Sequence, residues 1–160
     1  MPEKELEIGS SAIPFSLPNQ ANKKISLSNF KGKWVVLYFY PKDDTPGCTT
    51  EACDFTASLK EFEKLEAVVL GVSADSVESH QKFIEKYKLK INLLSDEQHK
   101  VIEKYGAWQL KNMYGKEFYG IVRSTFIIDP KGKIAHIWPK VTAEGHAKEV
   151  KAKLQELKKN

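Results

Sequence analysis

The apolar residues of the chain form uninterrupted runs of the kind found in buried strands. Residues 34–40 (WVVLYFY) are seven apolar residues in a row, rich in β-branched and aromatic side chains. Such a run predicts a central strand buried on both faces, and residues 67–72 (AVVLGV) predict a second one. A shorter stretch at 25–27 hints at a further strand near the start of the chain.

Other segments have the spacing of amphipathic helices. Thr45 as N-cap and Pro46 at the first helical position predict a helix directly after the first strand. Residues 76–87 predict a second helix, and a capping box that begins at Ser95 predicts a third, ending near Gly106. The inward-facing positions are Cys48, Ala52, Phe55, Leu59 and Phe62 in the first helix, Val77, Ile84 and Tyr87 in the second, and Val150, Leu154 and Leu157 in a last helix.

The segment between the third and last helices has two parts with different patterns. Residues 107–122 contain glycines and aromatic residues without a clear period, and we expect a long loop there, a type of segment that is usually functional or disordered. Residues 129–132 (DPKG) fit a type I turn. This turn predicts a hairpin between the apolar runs 125–128 and 134–138.

The order of elements predicts a three-layer α/β protein. The strands 34–40 and 67–72 are expected to be parallel, joined by a right-handed crossover through the first helix. Such sheets place their functional sites in loops at the carboxyl ends of parallel strands. The loop after Tyr40 is therefore the first candidate for a site.

Length and composition favour a single globular domain over residues 1–160. The chain is 41% hydrophobic, and no stretch approaches the length of an apolar membrane span. Its charged first ten residues contain no apolar targeting segment, so we expect a cytoplasmic protein with no membrane partner.

The charges exclude one class of partner and single out one residue. The 25 basic and 21 acidic residues are spread along the chain, without the basic clusters and interleaved aromatics that nucleic-acid binding requires. Arg123 is the single arginine, all other basic residues being lysine. Either the planar, permanently charged guanidinium group is needed at this position, or the arginine is there by chance. Composition leaves both explanations open.

The chain has two cysteines, Cys48 and Cys53. Because permanent disulfides are rare in the cytoplasm, they are inert thiols, metal ligands or catalytic residues. The four histidines show no paired spacing, which argues against zinc. Neither a C-x-x-C exchange motif nor a papain-type signature is present. His80 falls on the apolar face of its helix and is predicted to be a hydrogen-bonded core residue.

The position of Cys48 favours catalysis without proving it. With Thr45 as N-cap, Cys48 lies in the first helical turn, where the helix dipole and free N–H groups favour a thiolate. The stripe that begins at Cys48 directs its sulfur into the interior. A buried, inert cysteine is the alternative that these features leave open.

A resemblance to a known family narrows these choices. Residues 41–48 (PKDDTPGC) match the peroxiredoxin pattern P-x-x-x-T-x-x-C. The string YFYPKDDTPGCTTEACDF resembles the bacterioferritin comigratory protein (PrxQ-type) subfamily of peroxiredoxins, and the similarity continues through LLSDEQHKVIEKYGAW and MYGKEFYGIVRSTFIID. The resemblance implies a thioredoxin-like fold with an N-terminal extension and an extra helix or loop insertion before the C-terminal hairpin.

The same resemblance implies a function and a role for each site residue. The protein would be a thiol-dependent peroxidase that reduces hydrogen peroxide and organic hydroperoxides. Cys48 would be the nucleophile and Cys53 the resolving cysteine, which forms a disulfide with the sulfenic acid of Cys48. Pro41 would shield Cys48, the Thr45 hydroxyl would hydrogen-bond the thiol or the peroxide, and Arg123 would be the active-site arginine.

The resemblance also implies partners. Thioredoxin or a similar dithiol would reduce the disulfide, no metal, haem or flavin cofactor would be needed, and we expect a monomer. Two rival functions are a thiol–disulfide oxidoreductase that does not consume peroxide, and a redox sensor or holdase without enzymatic activity.

Helix geometry adds one constraint on the implied disulfide. Two residues five apart in a continuous α-helix have Cα atoms about 8.6 Å apart. A disulfide requires Cα atoms within about 7 Å. If Cys48 and Cys53 share one helix, its first turns must therefore unwind before the disulfide forms.

Overall fold

The computed structural model describes residues 6–159. Their strands are β1 (Ser16–Pro18), β2 (Lys24–Ser26), β3 (Trp34–Phe39), β4 (Ala67–Ser73), β5 (Asn92–Ser95), β6 (Trp108–Met113), β7 (Lys116–Ile121), β8 (Ser124–Ile128) and β9 (Ile134–Trp138). The helices are α1 (Pro46–Ala57), α2 (Leu59–Lys64), α3 (Val77–Tyr87), α4 (Lys100–Lys104) and α5 (His146–Lys158), with a short 3-10 helix at Leu27–Phe30.

A five-stranded sheet in the order β5–β4–β3–β8–β9 forms the centre of the described residues. The pairs β3–β4 and β4–β5 are parallel, whereas β8 is antiparallel to both β3 and β9. The predicted α/β arrangement and the parallel pairing of the two long apolar strands are confirmed. β5 was not predicted as a strand, because its four residues are too short to show a pattern.

Apolar side chains cover both faces of this sheet. Val36 and Tyr38 point to one face, where they pack with residues of α1, α3 and α5. Val35, Leu37 and Phe39 point to the other face, which α4 and the β1–β2 segment cover. β3 is thus buried on both sides, as its continuous apolar run predicts.

The first helix begins as predicted but is shorter than predicted. Thr45 is its N-cap and Pro46 its first residue. The helix ends at Ala57, and its C-cap Ser58, with φ −97° and ψ 3°, separates α1 from α2, so the stripe from Cys48 to Phe62 spans two helices. Serine is a weak helix former because its hydroxyl competes for backbone hydrogen bonds.

The third helix was wrongly predicted to be capped by Ser95. Ser95 instead ends β5, because the buried Leu93 and Leu94 hold this segment extended against β4. α4 begins five residues later, and the carboxylate of Asp96 accepts a hydrogen bond from the Ile102 N–H at 2.8 Å. The acceptor for the first turn is therefore an aspartate that the capping-box pattern did not include.

The loop predicted at residues 107–122 is a β-hairpin, and this prediction was wrong. β6 and β7 pair antiparallel around Tyr114 and Gly115, which have φ values of 55° and 78°. Two consecutive left-handed residues form the turn that suits the twist of a hairpin. Leu110, Met113, Tyr114, Phe118 and Tyr119 are exposed, so neither strand shows the alternation of a half-buried strand.

Most of the remaining predictions are confirmed, but the buried residues of α3 are His80 and Phe83, whereas the predicted Val77, Ile84 and Tyr87 are only half-buried. β8 and β9 form the predicted hairpin, and the Gly132 N–H donates to the Asp129 carbonyl across its turn. The apolar face of α5 packs on the core through Val150 and Leu154. Part of the charged N-terminal segment used to predict the compartment lies at positions 1–5, outside the described residues. Within residues 6–159, each helix is too short or too polar to cross a membrane.

Candidate active site

The loop after β3 and the start of α1 place Cys48 in the interior. The Thr49 N–H donates to the Thr45 carbonyl at 2.8 Å, which closes the first turn of the helix around Cys48. The Cys48 residue is only 2% exposed. Its sulfur therefore lies at the positive end of a helix, inside the protein, as the sequence predicts.

Arg123 lies against this sulfur. Its Nη2 donates to Cys48 Sγ at 3.1 Å, and its Nη1 pairs with the carboxylate of Glu51. A Cβ atom at Gly47 would lie 3.2 Å from Nη2, so a residue without a side chain lets the guanidinium approach the helix. Burial lowers the pKa of Arg123, but the two acidic groups more than compensate, and the pKa lies above its ordinary value.

The other two predicted loop residues lie before the helix. The Thr45 hydroxyl donates its hydrogen to the Lys42 carbonyl oxygen at 2.9 Å, so that hydrogen is not directed at Cys48. Pro41 lies two residues after the end of β3 and is half-buried. The structure thus joins Cys48 and Arg123 by a direct contact and places Pro41 and Thr45 in the loop that leads to them.

Cys53 lies in α1 together with Cys48, and both are free thiols. It is half-buried against the apolar cluster that Cys48 and Phe55 belong to. Burial, and to a smaller extent Asp54, raises the pKa of the Cys53 thiol. Both cysteines are part of one helix, which is the condition under which the Cα separation excludes a disulfide in the folded helix.

Glu51 is a site residue that the sequence reasoning missed. It is 0% exposed, and burial raises its pKa to about 7 although Arg123 lowers it. Its Oε2 atom is buried and has no hydrogen-bond partner among the described residues. The signal was present in the sequence, because Glu51 lies three residues after Cys48 and one before Ala52, on the face that carries the apolar stripe.

A second polar cluster lies under the same loop. Oxygen and nitrogen atoms of Asp43, Asp75 and His80 lie within 4.8 Å of one another, the spacing that a metal site requires. However, His80 Nδ1 lies 2.7 Å from Asp43 Oδ2, and Asp75 Oδ2 accepts from the Asp43 N–H at 2.8 Å. These atoms are engaged with each other in a hydrogen-bond network, and His80, at 0% exposure, is the predicted core histidine.

The arrangement at Cys48 suits one kind of chemistry. A sulfur at a helix N-terminus, held by a guanidinium, is activated as a nucleophile. The first-turn N–H groups and Arg123 also form donors for negative charge that develops on a leaving atom. A small polar electrophile with a good leaving oxygen fits both requirements.

The sequence and the fold resemble those of known proteins. Residues 8–137 match the AhpC/TSA family. The chain is 48% identical to peroxiredoxin Bcp of Bacillus subtilis over 152 residues, which cover 95% of this chain and 97% of that protein. It is 50% identical to the putative peroxiredoxin bcp of Coxiella burnetii over 149 residues, covering 93% and 99% of the two chains.

Solved structures agree with the sequence matches. Peroxiredoxin Q of Xanthomonas campestris superposes with a TM-score of 0.85 at 43% identity, covering 94% of this chain and 96% of that chain. A cysteine-to-serine mutant of PrxQ from Xylella fastidiosa gives 0.91 at 38% identity, covering 96% and 98%. The expected thioredoxin-like fold is confirmed.

The buried Glu51 carboxyl predicts a pH-dependent stability difference. Because the folded pKa of about 7 lies above the ordinary value of 4.5, the folded state holds the Glu51 proton over a range where the unfolded state has lost it. Glu51 therefore destabilises the fold increasingly as the pH rises from 4.5 towards 7. Relative to the wild type, Glu51→Gln should gain about 2 kcal/mol in unfolding free energy between pH 5 and pH 8.

Denaturant unfolding at several pH values measures this gain, with the exposed Glu63→Gln as the control variant. A difference between Glu51→Gln and the wild type that stays constant with pH would contradict the prediction.

Proposed function

The chain belongs to the AhpC/TSA family and is a thiol-dependent peroxidase of the Bcp (PrxQ) type, and on that premise we propose the residues that carry the reaction. Cys48 is the peroxidatic nucleophile, Arg123 stabilises charge on its sulfur and on the leaving oxygen, and Cys53 is the resolving cysteine. The observation that carries this assignment is the 3.1 Å contact between Arg123 Nη2 and Cys48 Sγ at the start of α1.

The first step is an in-line displacement on the peroxide. The Cys48 thiolate forms an S–O bond with the oxygen that carries the peroxide hydrogen while the O–O bond breaks. The leaving oxygen takes the electron pair and that hydrogen as a proton, and departs as water or an alcohol. The sulfenate left on Cys48 takes a proton from water to become the sulfenic acid. Arg123 and the N–H groups of Gly47 and Cys48 are fixed donors for this oxygen. One donor of this kind is typically worth about 3 kcal/mol of transition-state stabilisation.

Thr45 and Pro41 assist the first step. The Thr45 hydroxyl gives its hydrogen to Lys42, so its oxygen lone pairs remain free to accept the peroxide hydrogen and orient the substrate. Pro41 shields the sulfur from bulk water. Hydrogen peroxide and organic hydroperoxides are the proposed substrates, and alkyl peroxide reduction is described for the Xanthomonas campestris relative.

The second step resolves the sulfenic acid. The Cys53 sulfur attacks the sulfur of Cys48-SOH, an S–S bond forms, and the hydroxyl leaves as water. An external dithiol then reduces the disulfide by thiol–disulfide exchange and is itself oxidised to a disulfide. Thioredoxin or a similar dithiol protein is the proposed reductant, and no metal or organic cofactor takes part in either step.

The need for a dithiol reductant also indicates the cellular compartment in which the reaction takes place. Each turnover leaves a disulfide, and dithiol pools that reduce disulfides belong to reducing compartments. We therefore propose that the reaction takes place in the cytoplasm. We also propose that residues 1–160 act as one domain and as a monomer.

The assignment of Cys48 is tested by Cys48→Ser. Serine is nearly isosteric but a far poorer nucleophile, so peroxide consumption in a coupled thioredoxin system should fall to background while the circular dichroism spectrum stays unchanged. The same assay on the wild type separates a peroxidase from a disulfide oxidoreductase or a sensor. Activity above a trace in the variant would overturn the assignment.

The role of the planar guanidinium is tested by Arg123→Lys. Lysine keeps the charge but reaches only one of the two acidic groups, so the second-order rate constant for peroxide should fall about tenfold or more. Stopped-flow measurement of Cys48 oxidation gives this constant, with the unfolding midpoint as the control for folding. Full activity would mean that charge alone suffices.

The role of Cys53 predicts different dynamics in the two redox forms. Because the disulfide requires the first turns of α1 to unwind, amide hydrogen exchange over residues 48–56 should be markedly faster in the disulfide form than in the dithiol form. Cys53→Ser should reduce about one equivalent of peroxide and then stall as the sulfenic acid until a thiol is added. Equal protection in the two forms would exclude Cys53 as the resolving residue.

A further inference from the structure

We propose that Asp43 and His80 are positioning residues for Cys48. Their buried hydrogen bond attaches the active-site loop, residues 40–45, to α3 and keeps the start of α1 where Cys48 contacts Arg123. The inference rests on the proposed function, because it concerns the peroxide step that Cys48 performs. Asp43 lies five residues before Cys48, whereas His80 lies on a helix that supplies no reacting group.

Asp43 accepts three hydrogen bonds while almost fully buried. Its Oδ1 accepts from the Tyr40 hydroxyl at 2.6 Å, and its Oδ2 accepts from the Ser79 hydroxyl at 2.8 Å. The third donor is His80 Nδ1, 2.7 Å from Oδ2, and the Asp43 side chain is 4% exposed. A carboxylate with three donors is held in one position, and so is the backbone that carries it.

His80 has acceptors at both ring nitrogens. Its Nε2 lies 3.0 Å from the Leu94 carbonyl oxygen, which only accepts, so Nε2 carries a hydrogen. The 2.7 Å contact between Nδ1 and Asp43 then contains a second proton, shared between the ring nitrogen and the carboxyl group. His80 thereby connects the loop to β5 as well as to α3.

Two further contacts hold the same loop. The Asp43 N–H donates to Asp75 Oδ2, and this carboxylate also accepts from the Ser73 hydroxyl at 2.7 Å. At the surface, Asp44 accepts from Lys86 and Tyr87 of α3 at 2.8 and 2.6 Å. Asp44 has φ 58°, an uncommon conformation for a residue other than glycine, so these contacts also keep the backbone in the turn that leads to Thr45.

The attachment matters because α1 must unwind and reform in each cycle. The loop is held by side chains of α3 and by Asp75, which follows β4, and all of these lie outside the part of α1 that unwinds. When the disulfide is reduced, the first turn reforms on a fixed starting point and Cys48 returns to Arg123. Releasing the loop should therefore slow attack on peroxide but not the condensation with Cys53, which takes place in the unwound state.

The experiment compares Asp43→Ala with Asp43→Asn. The amide of asparagine donates to His80 Nδ1 in its neutral tautomer and accepts from Tyr40, so it keeps the geometry without the charge, whereas alanine removes both. Asp43→Ala should lower the second-order rate constant for hydrogen peroxide about tenfold or more. Asp43→Asn should stay within about threefold of the wild type. Disulfide formation from the sulfenic acid should not slow in either variant.

Ile128→Ala serves as the matched control. This buried residue lies at the far end of β8, opposite Val35, and its loss lowers stability without touching the loop. A tenfold loss of the peroxide rate in this control would assign the effect to general destabilisation and overturn the proposal. His80→Gln and Tyr40→Phe provide milder versions of the change should Asp43→Ala not fold.

Hydrogen exchange at residues 42–48 of the reduced protein separates this inference from the proposed function. Faster exchange in Asp43→Ala than in Asp43→Asn, with a slower peroxide step, supports the positioning role. An unchanged peroxide rate or unchanged exchange in Asp43→Ala overturns it. A wild type that does not consume peroxide refutes the proposed function, and the exchange data then still decide whether Asp43 holds the loop.

Discussion

The guanidinium of Arg123 serves two acidic groups that the fold buries together. Glu51 and Cys48 lie on the same face of α1, and both contact this one cation. Burying a carboxyl group is costly because its charged form loses its hydration, even where a guanidinium lies beside it. Burial raises the pKa of Glu51 to about 7 although Arg123 lowers it, so near neutral pH this carboxyl carries only part of a negative charge and competes only in part for the guanidinium.

Strand pairing explains how a residue so distant in sequence reaches Cys48. β8 runs antiparallel to β3, and Ser124 lies opposite Phe39. The beginning of β8 and the end of β3 therefore lie side by side at the same end of the sheet. Arg123, which precedes β8, faces the loop that follows β3, and the hydrogen bond from the Val141 N–H to the Arg123 carbonyl fixes its backbone there.

The sequence predicts those parts of this site that depend on local pattern. The end of β3 and the start of α1 follow from a continuous apolar run and from the capping preferences of Thr45 and Pro46, and both are confirmed. Two other features could not be predicted in this way: the pairing of β8 with β3, and the contact of Asp43 with a histidine 37 residues away. Both join segments that are distant in sequence, and the local pattern of one segment does not indicate the other. Glu51 could have been identified from local pattern, because a carboxylate on the apolar face of a helix, one turn from Cys48, indicates a buried charge near the sulfur.

The hairpin of β6 and β7 was missed because both its faces carry exposed side chains, so burial imposes no alternation. Its turn also places Tyr114 in the left-handed region, where Asn, Asp or Gly would have been the recognisable residue.

The buried polar groups on the two sides of the active-site loop differ in whether their atoms have hydrogen-bond partners. Under the loop, Asp43 and His80 have partners for every polar side-chain atom, and such a fully satisfied network favours one geometry. Beside Cys48, Glu51 Oε2 is a buried polar atom with no partner among residues 6–159. A buried carboxylate oxygen without a donor is destabilised, which is why burial raises the pKa of Glu51 although Arg123 lowers it. The polar groups that hold the loop are thus fully paired, whereas the carboxyl that shares Arg123 with Cys48 keeps one oxygen that is unpaired within the described part of the chain.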